Sequence, residues 1–144
     1  MEKGNIYRKL ISGIITTFIL SLIIPAIENS NDFQKAFIAI PVYLLYIFPI
    51  VIVYGTITSY ISDLIANKMS KIISKKYIII FSALLHGIFG LILIWYSLVG
   101  AILFFFIDRL LVKWKVHYKL RDVIIYFGVL LLWFIILTIT INFL

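Results

Sequence analysis

Long apolar runs alternate with short charged segments along this chain. Leu10–Ile27, Ala36–Ser62, Tyr77–Ile107 and Val123–Leu144 each lack Asp, Glu, Lys and Arg, and each is 18 residues or longer. Uncharged apolar runs of this length predict helices that cross a bilayer. Pro41 and Pro49 lie inside the second run. Each removes a backbone donor and crowds the preceding turn, which predicts a kink at one or both. After Ser62 the period changes. Ile65, Met69, Ile72 and Ile73 fall on one helical face, with Asp63, Asn67, Lys71, Ser74 and Lys75 largely opposite. That pattern fits a short amphipathic helix on the cytoplasmic membrane surface, or equally a solvated continuation of the second run.

The third run decides the topology. As one helix, Tyr77–Ile107 would be roughly 46 Å long, against a hydrocarbon core about 30 Å thick. Immersing it as one span needs a tilt of about 50°, beyond the usual range of about 0–40°. The alternative is two helices turning near Tyr96-Ser97-Leu98-Val99-Gly100. With one span there, four in all, seven of the 13 basic residues face one side and six the other. With two, 12 of the 13 share one side and only Lys35 lies across. Short loops rich in Lys and Arg stay cytoplasmic. The expectation is therefore an all-α, polytopic transmembrane bundle of five spans, about 10–27, 36–62, 77–95, 98–113 and 123–144, with four spans as the alternative. The N-terminus is then cytoplasmic and the C-terminus extracytoplasmic. The basic start before an apolar run also describes a signal peptide, but Ile24-Pro25-Ala26-Ile27-Glu28 lacks the small-x-small pair that cleavage prefers.

Composition agrees with lipid as the solvent. Hydrophobic residues make up 64% and charged residues 13% of 144, against about 45–50% and 25% in soluble domains. The net charge of +7 could point to nucleic acid, but the basic residues abut apolar runs rather than forming one polar face. Lys68, Lys71, Lys75, Lys76, Lys113, Lys115, Lys119 and Arg121 read as facing anionic headgroups, with Trp114 and Tyr118 as interfacial anchors. With no cysteine, disulfides and thiol chemistry are excluded. Two Glu and two His leave no zinc motif, and neither a nucleophile elbow nor a phosphate-binding loop is present. No catalytic residue, metal or cofactor is expected.

Ionisable groups inside a bilayer are the best pointers to function, since an Asp or Arg at midplane costs about 2.5–3.5 kcal/mol even on the lenient insertion scale. Asp108, with Arg109 beside it, and His86 qualify. Ser82, His86 and Gly90 step by four along one face. Gly55, Ser59 and Ser62 form a second narrow face. Ser59, Ser82, His86 and Asp108 are thus a candidate intramembrane polar cluster, with Asp108 pairing locally or neutral. Gly55, Ser59, Gly87 and Gly90 are candidate helix-packing positions. Either a proton relay or plain helix packing would use these residues.

Tyr54-Gly55 with Ser59 and Ser62-Asp63, then His86-Gly87-Ile88-Phe89-Gly90, then Asp108, resemble a family of small multi-span membrane proteins of Bacillus-type bacteria and their prophages. The resemblance covers roughly Ile38 to Lys113. It implies a plasma-membrane location and no particular activity. The expected role is that of a non-catalytic interaction or accessory protein, for instance of the immunity type, with a membrane-protein partner or a second copy. The rival is a small transporter or proton-coupled channel built on the polar cluster.

Overall fold

The computed structural model describes residues 6–69, 75–91, 95–114 and 117–143. Every element among them is helical. α1 (Ile6–Glu28) ends at a short turn in which the Asn29 N–H reaches the Pro25 carbonyl. Asp32 caps α2 (Phe33–Ile50), accepting the Lys35 N–H at 3.0 Å. That backbone bond, with the Lys35 ammonium, holds the Asp32 carboxyl below its usual range. Two residues past Pro49, which donates no N–H to its own turn, the helix widens into a π-helical turn at Val51–Gly55. It then continues as α3 (Thr56–Met69). The central run divides into α4 (Lys75–Leu91) and α5 (Trp95–Trp114), and α6 is Leu120–Asn142.

Side-chain pairings fix the relative directions. Arg8 meets Asp108, Gly13 meets Phe104 and Leu20 meets Gly100, so α1 and α5 run antiparallel. Ser82 meets Arg109, His86 meets Phe105 and Gly90 meets Ala101, so α4 and α5 do too. Asp63 with Ser82 and Tyr54 with Phe89 set α4 antiparallel to the long helix before it. Phe18 packs edge-on against Trp133, and Ile14 shares a cluster with Leu130, which sets α6 parallel to α1. The five helices, counting α2 through α3 as one, therefore alternate in direction.

Among the described residues three helical stretches are long and apolar enough to cross a membrane: Ile6–Glu28, Phe33–Ala66 and Leu120–Asn142. Tyr77–Leu91 is apolar but shorter, and α5 carries Asp108, Arg109 and Lys113. Length and composition thus support three crossings, not five.

Several expectations change. Residues 96–100, where a turn is expected, lie within α5, which the structure describes from Trp95. Gly100 does not turn the chain; it packs against Leu20. Of the amphipathic helix expected after Ser62, residues 70–74 lie outside the described residues. α3 prolongs the long helix, and Asp63 is buried rather than on a polar outer face. α1 is the most buried of the three long apolar stretches. Its residues Arg8, Lys9, Ile11, Ser12, Gly13, Ile14, Thr16, Thr17, Leu20, Ser21 and Pro25 are all buried. Small side chains permit this: a Cβ on Gly13 would stand 2.9 Å from Ile52 Cδ1, so the π-helical turn presses directly on the α1 backbone.

Lys68, Lys113, Lys119 and Arg121 are exposed at the end of the bundle where α1 begins. Lys71 and Lys115 lie outside the described residues, as do the side chains of Lys75 and Lys76.

Candidate functional site

Near the N-terminal end of α1 the chain brings five charges together, four of them buried and the fifth, Arg109, partly exposed. Lys9 is fully buried, and its Nζ donates to Ser59 Oγ at 2.7 Å, Asp63 Oδ2 at 2.6 Å and Asp108 Oδ2 at 3.0 Å. An ammonium has three hydrogens, so its donors are matched. Arg8 grips Asp108 from the other side, Nε to Oδ1 at 2.8 Å and Nη2 to Oδ2 at 3.4 Å, with Asp63 Oδ2 3.8 Å from its Nη2. Arg109 turns inward. Its Nη2 donates to Asp63 Oδ1 at 2.7 Å and to Ser82 Oγ at 3.2 Å, while the guanidinium lies over the Phe105 ring at 5.0 Å. The Ser82 hydroxyl donates to Asp63 Oδ1 at 3.3 Å.

Three cations thus face two carboxylates, and α1, α3, α4 and α5 are tied at one level. Asp108 does not pair with its sequence neighbour. Its partners lie 99 and 100 residues away. Reaching across helices satisfies both carboxylate oxygens, whereas Arg109 next in the chain points to another face.

His86 sits one step further along α4, 4% exposed. Its Nδ1 lies 2.8 Å from the Ser82 backbone carbonyl, its ring tilts against Phe105 at 5.2 Å, and its Nε2 is buried with no hydrogen-bond partner among the described residues. The ring meets the carbonyl of Ser82, not its hydroxyl. Among the described residues no hydrogen-bonded wire therefore joins His86 to Asp63.

Above this layer lies an apolar cavity of about 610 Å³, walled by Leu20, Ile50, Val53, Ala101 and Phe104 among others, with His86 in the wall. The π-helical turn forms one side of it.

Of the four residues singled out as a polar cluster, Ser59, Ser82 and Asp108 enter the charge network directly and His86 adjoins it through Ser82. The packing positions differ among themselves. A Cβ on Gly90 would stand 2.7 Å from Ala101 Cβ and 3.1 Å from Leu98 Cα, and one on Gly55 3.2 Å from Phe104. One on Gly87 would meet nothing within 4 Å, so Gly87 is not where α4 touches a neighbour. Ser59 serves as a hydrogen-bond acceptor for Lys9. Arg8, Lys9 and Asp63 are the members that hydropathy alone does not single out. They flank apolar runs, the position in which charges ordinarily mark a membrane interface. The available signal was the small and hydroxyl residues that follow Lys9: Ser12, Gly13, Thr16, Thr17 and Ser21 give α1 a face on which other helices can pack closely.

Among the described residues no group of three or more His, Asp or Glu could hold a metal ion. Comparison with family models, curated proteins and solved structures finds no match to this chain.

Proposed function

We propose that this chain is a non-catalytic, multi-span protein of a bacterial cell membrane, acting by interaction as an accessory protein, for instance of the immunity type. The observation that carries this reading is the saturation of the charge cluster. Each carboxylate is held by at least two cations, and Lys9 has no donor to spare. A relay needs a group that gains and loses a proton without dismantling its surroundings. Asp63 and Asp108 instead form a clamp, which suits a rigid platform for a partner better than a transport cycle. Protein reconstituted in liposomes with an internal pH dye should pass no more protons than empty liposomes, before and after Asp108→Asn. Flux that Asp108→Asn abolishes in folded protein would replace this reading with the proton-coupled one.

That second reading has one observation in its favour: His86, in the wall of the cavity, lies one helical turn from Ser82, whose hydroxyl belongs to the cluster. Replacing His86 with Ala separates the two. A platform keeps its fold and transports nothing, whereas a carrier loses flux at normal protein levels.

For the topology we propose five crossings with the N-terminus inside. The alternation of helix direction supports it, and so does the charge polarity of the bundle. Arg8, Lys9, Lys68, Arg109, Lys113, Lys119 and Arg121 gather at one end, while Glu28, Asp32 and Lys35 lie at the other. α4 is then roughly 25 Å long and α5 roughly 30 Å, enough to span with the flanking lysines snorkelling. With no native cysteine, single replacements give a clean measurement. Lys35→Cys should react with an impermeant maleimide on intact cells, and Lys119→Cys only after permeabilisation. Labelling of Lys119→Cys on intact cells would sink the five-span topology.

A further inference from the structure

We propose that the cytoplasmic end of the α4–α5 pair binds one net-anionic phospholipid, whose phosphate is held by Arg109 Nη1 and Lys113 and supplies the negative charge that the ion cluster lacks. This goes beyond the accessory role. It rests on the topology proposed above, in which α5 crosses the bilayer, and cysteine labelling tests that topology separately.

Arg8, Lys9 and Arg109 face Asp63 and Asp108. Among the described residues this leaves the cluster one positive charge in excess. A charge drawn out of water needs a counter-ion at short range. The three cations differ in what an outside anion can reach. The Lys9 side chain is fully buried with its three hydrogens spent, and that of Arg8 is 6% exposed and gripped by Asp108. The Arg109 side chain is 20% exposed. The cluster is therefore most open at Arg109.

The hydrogen bonds show which edge of the guanidinium is open. Nη2 spends its two hydrogens on Asp63 Oδ1 and Ser82 Oγ. Nε is buried and out of reach of a ligand. Nη1 bonds to none of the described residues and, unlike Nε, keeps accessible surface. Its two hydrogens are open to an acceptor from outside. Lys113 lies one turn further along the same face of α5 and is exposed. A guanidinium edge beside an ammonium is a pairing that phosphate oxygens accept from well.

Depth and surroundings select a lipid. Arg109 stands five residues before Trp114, the last of α5, or about 7.5 Å along the axis, a level from which a long basic side chain reaches the phosphate layer. Phe106 and Val112, about one turn to either side of Arg109 on α5, are exposed and offer an acyl chain apolar surface. The excess of one cation also selects the headgroup. Choline and ethanolamine bring a cation of their own beside the phosphate, whereas phosphatidylglycerol does not.

The test titrates the full chain, in a mild non-ionic detergent, with dioleoyl phosphatidylglycerol or dioleoyl phosphatidylcholine and counts bound lipids by native mass spectrometry. The first phosphatidylglycerol should bind about tenfold more tightly than the first phosphatidylcholine, which corresponds to about 1.4 kcal/mol. Lipids bound after the first should show no such preference. Arg109→Gln should erase it, and Lys113→Gln, at an exposed position, should weaken it with the fold intact. If Arg109→Gln fails to fold, the preference of the unaltered protein and its weakening in Lys113→Gln decide alone. Excess inorganic phosphate should leave the lipid in place, because acyl chains hold it as well. Displacement by phosphate would assign the site to a soluble anion and overturn the proposal. Equal binding of the two lipids, a preference that survives Arg109→Gln, or a second copy of the chain in place of the lipid would overturn it too.

Discussion

Asp63→Asn should destabilise the protein by about 3–5 kcal/mol, the range for leaving buried charges without their counter-ion. Asp63 is the shared partner of Lys9 at 2.6 Å and Arg109 at 2.7 Å, with Arg8 at 3.8 Å. Its loss leaves three cations facing the single carboxylate of Asp108. Lys9→Met should cost less, although Lys9 makes more bonds. Arg8 and Arg109 then remain to neutralise one carboxylate each. The double variant, Lys9→Met with Asp63→Asn, should be more stable than Asp63→Asn alone, because it removes the surplus cation together with the anion. Residues in one buried network couple by about 0.5–3 kcal/mol. Unfolding in mixed micelles titrated with SDS gives all three values. A Lys9→Met variant less stable than Asp63→Asn would show that hydrogen bonds, not charge balance, hold the cluster.

Gly90→Ala should cost about 1–3 kcal/mol, the usual penalty for forcing atoms into a filled interface. The added methyl would stand 2.7 Å from Ala101 Cβ, 3.1 Å from Leu98 Cα and 3.3 Å from the Ser97 carbonyl. Two of those neighbours are backbone and cannot swing aside, so α4 and α5 must separate. Ala101→Gly in the same chain should relieve the shortest contact and restore part of the loss. Gly87→Ala, three residues away on the same helix, meets open space and should be neutral within about 0.5 kcal/mol. The same titration reads all of them. Equal losses at the two glycines would mean that helix propensity, not the α4–α5 crossing, sets the effect.

The helices themselves were legible because lipid imposes a simple grammar: long uncharged runs, separated by short basic segments. Charge arithmetic divided Tyr77–Ile107 in two, and α4 and α5 are the two halves. The position of the break was harder to place. Gly100 looks like a turn residue in sequence, yet its missing side chain makes room for Leu20. The network was half legible. Ser82 and Asp108 stand inside apolar runs, where a polar residue draws notice. Lys9 and Asp63 stand at the ends of runs, where a charge has an ordinary explanation in headgroups and loops. Only the pairing of distant helices shows that these two point inward. Gly87 and Gly90 are indistinguishable by spacing, since both lie near His86; which of them faces α5 depends on the rotation of α4.

The burial of Arg8 and Lys9 bears on the order in which the molecule is made. Translation delivers α1 first, yet the carboxylates that neutralise its two cations arrive some 55 and 100 residues later. Until then neither cation has the counter-ion that the folded bundle gives it. This end of α1 can be buried only once α3 and then α5 are synthesised and pack beside it. Assembly of this protein is therefore completed from its later helices back to its first.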